Sequence, residues 1–194
     1  MILAKSYGSA KWKMMRDSLE GFGKASGLFK HIEIKRLGKQ ESSPFQVMVK
    51  IAGPPFNLVD VGYGVSQILP IIVDILRAEK NTLFLLQQPE VHLHPRAQAE
   101  LASLLGALVK SEKKRFIVET HSDYLLDRVR MDIRDGKGIT PKDVSILYFE
   151  RTASGVEVHQ LSLDERGNIL DAPPGYRRFF LDEEYRLLGG ATSV

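Results

Sequence analysis

The spacing of apolar residues changes period along the chain, and each change marks an element. "HIEIKRL" and "FQVMVKIAG" alternate apolar and polar positions (Ile32, Ile34; Phe45, Val47, Val49, Ile51) across "GKQESSP". That alternation predicts a two-stranded antiparallel unit with one wet face. After Gly62 and Gly64 the period lengthens: Val65, Ile68, Leu69, Ile72, Val73, Ile75 and Leu76 cover most of a helical circumference. A helix apolar nearly all round is predicted to be buried, with Pro70 in its second turn kinking it rather than ending it.

"TLFLL" and "RFIVE" are short apolar runs of the kind found in the middle of a parallel sheet. Between them, Pro95 precedes a helical stripe of Ala97, Leu101, Leu104, Leu105 and Leu108. A further helix is predicted from Ser122, as N-cap, to the neighbourhood of Gly136. Strand, helix, strand, helix at this spacing predicts βαβ units. "DVSILYFERTASGVEVHQLSLDERGNI" returns to alternation, read as one further core strand and a hairpin at the sheet edge. The fold class expected is therefore α/β: a mostly parallel sheet flanked by helices, with an antiparallel edge. The tail "LDAPPGYRRFFLDEEYRLLGG" is expected to pack back onto the body.

Composition narrows the function classes. The 194 residues are 43% hydrophobic and 26% charged, enough for one ordinary domain with a core. A net charge of +3 does not by itself argue for nucleic acid. The basic residues do cluster, however: "KSYGSAKWKMMR" holds Lys5, Lys11, Lys13 and Arg16 around Trp12, and is read as a solvated face of a partly helical lead-in. Cysteine is absent, so disulfides and thiolate metal sites are excluded. No apolar run is long enough for a bilayer and no signal-peptide layout opens the chain, so the expected location is the cytoplasm.

Three short motifs carry the chemistry. A P-loop is the first thing to seek in such a sheet, because a glycine-rich turn at a helix N-terminus cradles phosphates. "EGFGKAS" imitates one, but Ser18 stands where its first glycine should be and Ala25 where a hydroxyl should follow Lys24. No Walker A motif is present. "QQPEVHLHP" ends the first core strand in two amides, Gln87 and Gln88, followed by Glu90, His92 and His94. Two imidazoles two residues apart, with Glu90 and His121, could open a metal site, though no second close cluster accompanies them. "ETHSD" puts His121 just past the next core strand. Polar groups following the C-terminal ends of successive parallel strands share the rim where such sheets bind ligands.

Taken together, "DVGYGVSQILPII", "LFLLQQPEVHLHPRAQ" and "FIVETHSD" resemble the C-terminal half of ABC-type ATPase heads, in the branch of SMC-like and OLD-family ATPases and the AAA-type ATPases of anti-phage systems. The resemblance covers residues 58–125, and "DERGNILDAPPGYRRFF" looks like the closing segment of these ATPases. It implies a division into a basic lead-in and antiparallel segment, part of an inserted lobe (1–57), a head half (58–163) and a closing segment (164–194). It also implies roles. Gly62, Gly64, Val65 and Ser66 stand at the signature loop that meets the ATP phosphate of an opposite subunit, with Gly62 in place of the usual serine. Gln87 falls at the acid that holds Mg²⁺ through water, and Gln88 at the catalytic glutamate. His94 ends the D-loop-like turn, and His121 matches the switch histidine. Glu90 is the nearest remaining acid and the competing candidate for the base.

The resemblance implies an ATPase using ATP and Mg²⁺ at a dimer interface. Its turnover is expected to be slow and switch-like, because a glutamine orients water but cannot take its proton. The P-loop would come from another half or a partner chain. The expected settings are DNA repair or anti-phage defence, with nucleic acid as a further partner and no membrane. Two alternatives stand beside this reading: a nucleotide-independent interaction module on the same fold, and a histidine-based metallohydrolase.

Overall fold

The computed structural model describes residues 10–40 and 43–188, without the side chains of Ala10, Lys11, Phe179 and Phe180. Lys5 and the Lys11 side chain from the basic cluster, Glu41 and Ser42 from the first turn, and the end of the closing segment lie outside that description. No helix among the described residues is long and apolar enough to cross a membrane.

The chain opens with α1 (Ala10–Ser26). Its Trp12, Met15, Leu19 and Phe22 recur at helical spacing and are buried, while Lys13 and Met14 face water. The lead-in is thus a core element with a basic outer face, rather than a mere extension. Gly23 and Lys24 of the P-loop look-alike lie inside this helix, where a Cβ on Gly23 would run into the Phe29 ring and carbonyl. That glycine is required by packing. Strands β1 (His31–Arg36) and β2 (Phe45–Lys50) pair antiparallel with Ile32 opposite Val49, as the alternation predicts. A short β3 (Phe56–Asn57) extends the sheet.

Helix α2 (Tyr63–Arg77) carries Pro70 within it and buries Val65, Ile68, Leu69, Ile72, Val73 and Ile75. One βαβ unit follows: β4 (Leu83–Gln87), α3 (Pro95–Glu112) and β5 (Arg115–Glu119). Pro95 opens α3, where its missing N–H costs nothing. Lys114, fully buried just before β5, donates from Nζ to the Ile75 carbonyl at 2.7 Å and pairs with Glu112 at 2.6 Å. It thereby caps the last turn of α2 with a cation and ties that helix to the strand. Ser122 caps α4 (Asp123–Arg134) as expected, its Oγ accepting from the Leu125 N–H.

The parallel pair is covered on one face only. Phe84, Leu86, Phe116 and Val118 pack on the core, with the two phenyl rings stacked 5.6 Å apart. On the other face, Leu85 is 73% and Ile117 62% exposed. The apolar runs call for cover on both sides, but the described chain supplies one layer. The next strands differ from expectation as well. β6 (Ile146–Thr152), β7 (Gly155–Leu163) and β8 (Ile169–Leu170) form their own antiparallel sheet, and β6 does not join the parallel pair.

The tail returns to the body at Tyr176, whose ring meets that of Tyr148 edge-on with centroids 5.3 Å apart, and at Arg177. Arg177 donates to both Asp123 and Asp127 of α4, at 2.8 Å and 2.7 Å. Beyond it, among the described side chains of α5 (Arg178–Leu187), Leu181, Tyr185 and Leu187 are exposed.

Candidate functional site

The parallel register assembles the rim. Gln87 stands opposite Glu119, and the ladder runs one step further as the Gln88 N–H donates to the Glu119 carbonyl at 2.8 Å. Gln88 and the Thr120–Ser122 loop are therefore neighbours at the ends of adjacent strands, as expected from their positions after successive core strands. Gln88 leaves the strand at φ +43 and His92 turns at φ +70, a conformation that side chains other than glycine adopt only under constraint. The constraint is local: the Val91 N–H donates to the Gln88 carbonyl at 3.1 Å, and the Leu93 N–H to the Glu90 carbonyl at 2.9 Å.

Alternation along β4 puts Gln87 on the bare face with Leu83 and Leu85, while Glu119 shares the corresponding face of β5 with Ile117. Glu119 is the residue that sequence reasoning missed. As the last residue of "RFIVE" it reads simply as strand, yet the parallel pairing sets it beside Gln87, exposed to water. Two-residue alternation plus the register is the signal that finds it.

Glu90 is different in kind. It is 5% exposed, and its Oε1 accepts the Thr120 hydroxyl at 2.6 Å and the His121 N–H at 3.1 Å. The His121 imidazole itself is exposed, so only its backbone is tied down. His94 is the exposed N-cap of α3 and makes no side-chain cap. The His92 ring tilts against Tyr63, with centroids 5.8 Å apart. Among the described residues no group of three His, Asp or Glu is arranged to hold a metal ion.

That ring contact brings the glycine loop to the rim. A Cβ on Gly64 would sit 2.8 Å from the His92 carbonyl oxygen, whereas a Cβ on Gly62 would meet nothing within 4 Å. Gly64 thus serves packing between the start of α2 and the His92 turn, and Gly62 is the open position. Val65 is buried, and its N–H and that of Ser66 already donate to the Gly62 carbonyl. The Ser66 hydroxyl turns back onto the Tyr63 carbonyl at 3.2 Å. Donors left for an incoming anion are the N–H groups of Tyr63 and Gly64, at the positive end of the helix dipole. The donor sets fit the groups that the motifs imply: uncommitted N–H groups at a helix N-terminus suit a phosphate, and an exposed carboxylate beside an amide side chain suits hydrated Mg²⁺.

Known structures share this arrangement of elements. A chain from work on "ATP-driven dimerization and DNA stimulated activation of SMC ATPases" aligns with TM-score 0.56 and 14% identity, over 90% of this chain and 92% of that one. An Smc head bound to the C-winged helix domain of ScpA aligns with TM-score 0.54 and 15% identity, over 84% of this chain and 50% of that one. An Smc head with an extended coiled coil from Pyrococcus furiosus, bound to the C-terminal domain of ScpA, gives 0.57 and 13%, over 90% of this chain and 38% of that one. The chain therefore spans half or less of these last two heads, and the likeness to all three is one of fold. No curated protein matches the sequence significantly. Residues 139–188 match the family described as a protein of unknown function, DUF3696. Residues 8–126 match the AAA ATPase domain family, and because that match takes in more than half of the chain, the protein belongs to it.

Proposed function

We propose that this chain is the Walker B side of an ABC-type ATPase head, which binds and hydrolyses ATP with a P-loop supplied by another half or a partner chain. The observation that carries the reading is the juxtaposition of Gln88 and His121 at the ends of paired parallel strands, with a free carboxylate, Glu119, beside Gln87. The support for a missing half is the bare apolar face: parallel sheets are normally covered on both sides, and this one exposes Leu85 and Ile117. In this reading residues 58–163 form the head half, following the lead-in of 1–57 and preceding the closing segment of 164–194.

Each residue then has a task. Mg²⁺, where bound, neutralises phosphate charge; Glu119 and the Gln87 carbonyl oxygen would hold it through water. Gln88 orients the attacking water, His121 meets the terminal phosphate, and the first turn of α2 presents its N–H groups to the nucleotide of an opposing head. Turnover is slow because the water-orienting group is an amide. A slow ATPase suits a conformational switch that closes two heads and reopens them, in DNA transactions or anti-phage defence.

The test is to combine the chain with a P-loop-bearing half and follow phosphate release. Gln88→Glu is expected to raise the rate by at least about tenfold, since a general base contributes roughly 10²–10⁴-fold. The proposal is sunk if no P-loop half confers ATPase activity on the chain, or if Gln88→Glu and His121→Ala both leave the rate untouched.

A further inference from the structure

Every residue of the Thr120–His121–Ser122 loop is held by a side chain that begins in the turn after β4 or in the first turn of α3. Glu90 reaches across to β5, where Oε1 takes both the Thr120 hydroxyl, at 2.6 Å, and the His121 N–H, at 3.1 Å. The Thr120 oxygen in turn accepts the Ser122 N–H at 3.0 Å. Gln98 forms a second strap: its Nε2 donates to the Leu93 carbonyl at 2.8 Å while its Oε1 accepts the Ser122 hydroxyl at 2.6 Å. Bonds to a charged acceptor are about twice as strong as neutral ones, and two donors converge on one oxygen here.

We propose that Glu90 is a positioning residue, whose carboxylate fixes the His121 backbone against the Gln88 turn. The role rests on the proposed ATPase reading for its purpose, but not for its existence. It also speaks against Glu90 as the competing base: Glu90 lies 5% exposed with Oε1 committed to two donors, and its Oε2 is buried without a hydrogen-bond partner. The consequence is mechanical: a displacement of the Gln88 turn is handed to His121 through the Glu90 side chain, alongside the Gln98 strap to Ser122, so the water-orienting amide and the switch histidine move as one unit.

The test uses the 194-residue chain, without nucleotide, by amide NMR and hydrogen exchange. Glu90→Ala is expected to shift the His121 and Ser122 amide signals and to speed His121 exchange about tenfold, the size of one lost charge-assisted bond, while amides in the middle of α2 stay protected. Glu90→Gln keeps an acceptor oxygen without the charge and is expected to recover part of the His121 protection lost in Glu90→Ala, a rescue that a proton-transfer role does not give. If Glu90→Ala fails to fold, Thr120→Val decides: it removes only the hydroxyl link, and the Ser122 amide is expected to lose protection. An unchanged His121 amide in Glu90→Ala, an unchanged Ser122 amide in Thr120→Val, or a Glu90→Gln as disturbed as Glu90→Ala overturns the proposal. Because no ATP enters the measurement, the linkage stands or falls separately from the ATPase reading.

Discussion

Placing the same serine at Gly62 and at Gly64 is expected to give opposite stability changes. At Gly62 the added side chain meets nothing within 4 Å, and the residue is the N-cap of α2 with φ −60 and ψ 156, a geometry any residue adopts. Serine there can accept an N–H of the first turn, which glycine cannot, for a gain of a few tenths to about 0.5 kcal/mol. At Gly64 the Cβ arrives 2.8 Å from the His92 carbonyl oxygen. The obstacle is backbone, and that backbone is already held at φ +70. Forcing extra atoms into a packed contact costs about 1–3 kcal/mol. Glycine's poorer helix propensity returns roughly 0.5 kcal/mol of this when it is replaced by serine. The net loss is on the order of 1–2 kcal/mol.

For a chain of this size 1 kcal/mol corresponds to about 2–4 °C in melting temperature, so the two variants should melt about 3–10 °C apart, with Gly62→Ser the higher. Calorimetric melting of both proteins measures it directly. Equal melting temperatures, or a lower one for Gly62→Ser, would refute the packing argument and return Gly64 to the role of a position kept bare for phosphate. The pair also sorts function from stability. In a reconstituted head, under the proposed function, Gly62→Ser adds a hydroxyl to the loop without disturbing the fold, whereas any loss of activity in Gly64 variants is confounded by the His92 turn.

Other expectations come from single residues. Lys114→Met keeps the volume but orphans the Ile75 carbonyl, so a loss of about 1–3 kcal/mol is expected, read as a drop in melting temperature of several degrees; an unchanged melt would mean that water replaces the bond. Asp127 is pushed up by burial, but its hydrogen bonds and charge pairing with Arg177 and Arg130 outweigh that and hold its carboxyl below the usual 3.8. A depressed folded value stabilises fully above about pH 4 and is lost as pH falls through it, so Asp127→Asn should flatten the acid limb of stability against pH, and a limb of unchanged steepness would contradict this. His121→Ala should slow a reconstituted ATPase at least about tenfold yet move the melt little, because the bond to Glu90 uses the backbone N–H; a large melting shift with unchanged turnover would point to a packing role.

Sequence legibility tracks how local the determining physics is. Helix α2 is readable from its period alone, including its tolerance of Pro70, because burial of one continuous apolar surface is written in neighbouring residues. The N-cap at Ser122 and Pro95 at the start of α3 are equally local. In α1 the lysines dominate a reading by charge and hide the inward residues, Trp12, Met15, Leu19 and Phe22, although these repeat at helical spacing. The packing role of Gly64 is beyond reach of the sequence, since it depends on a carbonyl in the His92 turn many residues away. The same holds for Glu90: nothing in "QQPE" tells that its carboxylate lies under the next strand's loop.

The adjacent amides at the end of β4 make chemical sense once the acids around them are sorted by place. Glu90 is buried and bonded, while Glu119 is exposed and stands beside Gln87 in the parallel register. A carboxylate at Gln87 would therefore face Glu119 directly, and like charges so placed disfavour ionisation of both. With glutamine there, the pair offers one negative charge and one neutral oxygen donor, a set that binds a hydrated cation without a repelling neighbour. Under the proposed function the charge of the strand end has not been lost; it has moved one strand across. Gln88 has no such substitute, because Glu119 is paired in register with Gln87 and Glu90 is held by Thr120 and His121. Under the proposed function, Mg²⁺ binding would survive with amides at both positions while proton abstraction slows, the combination that the proposed slow, switch-like ATPase calls for.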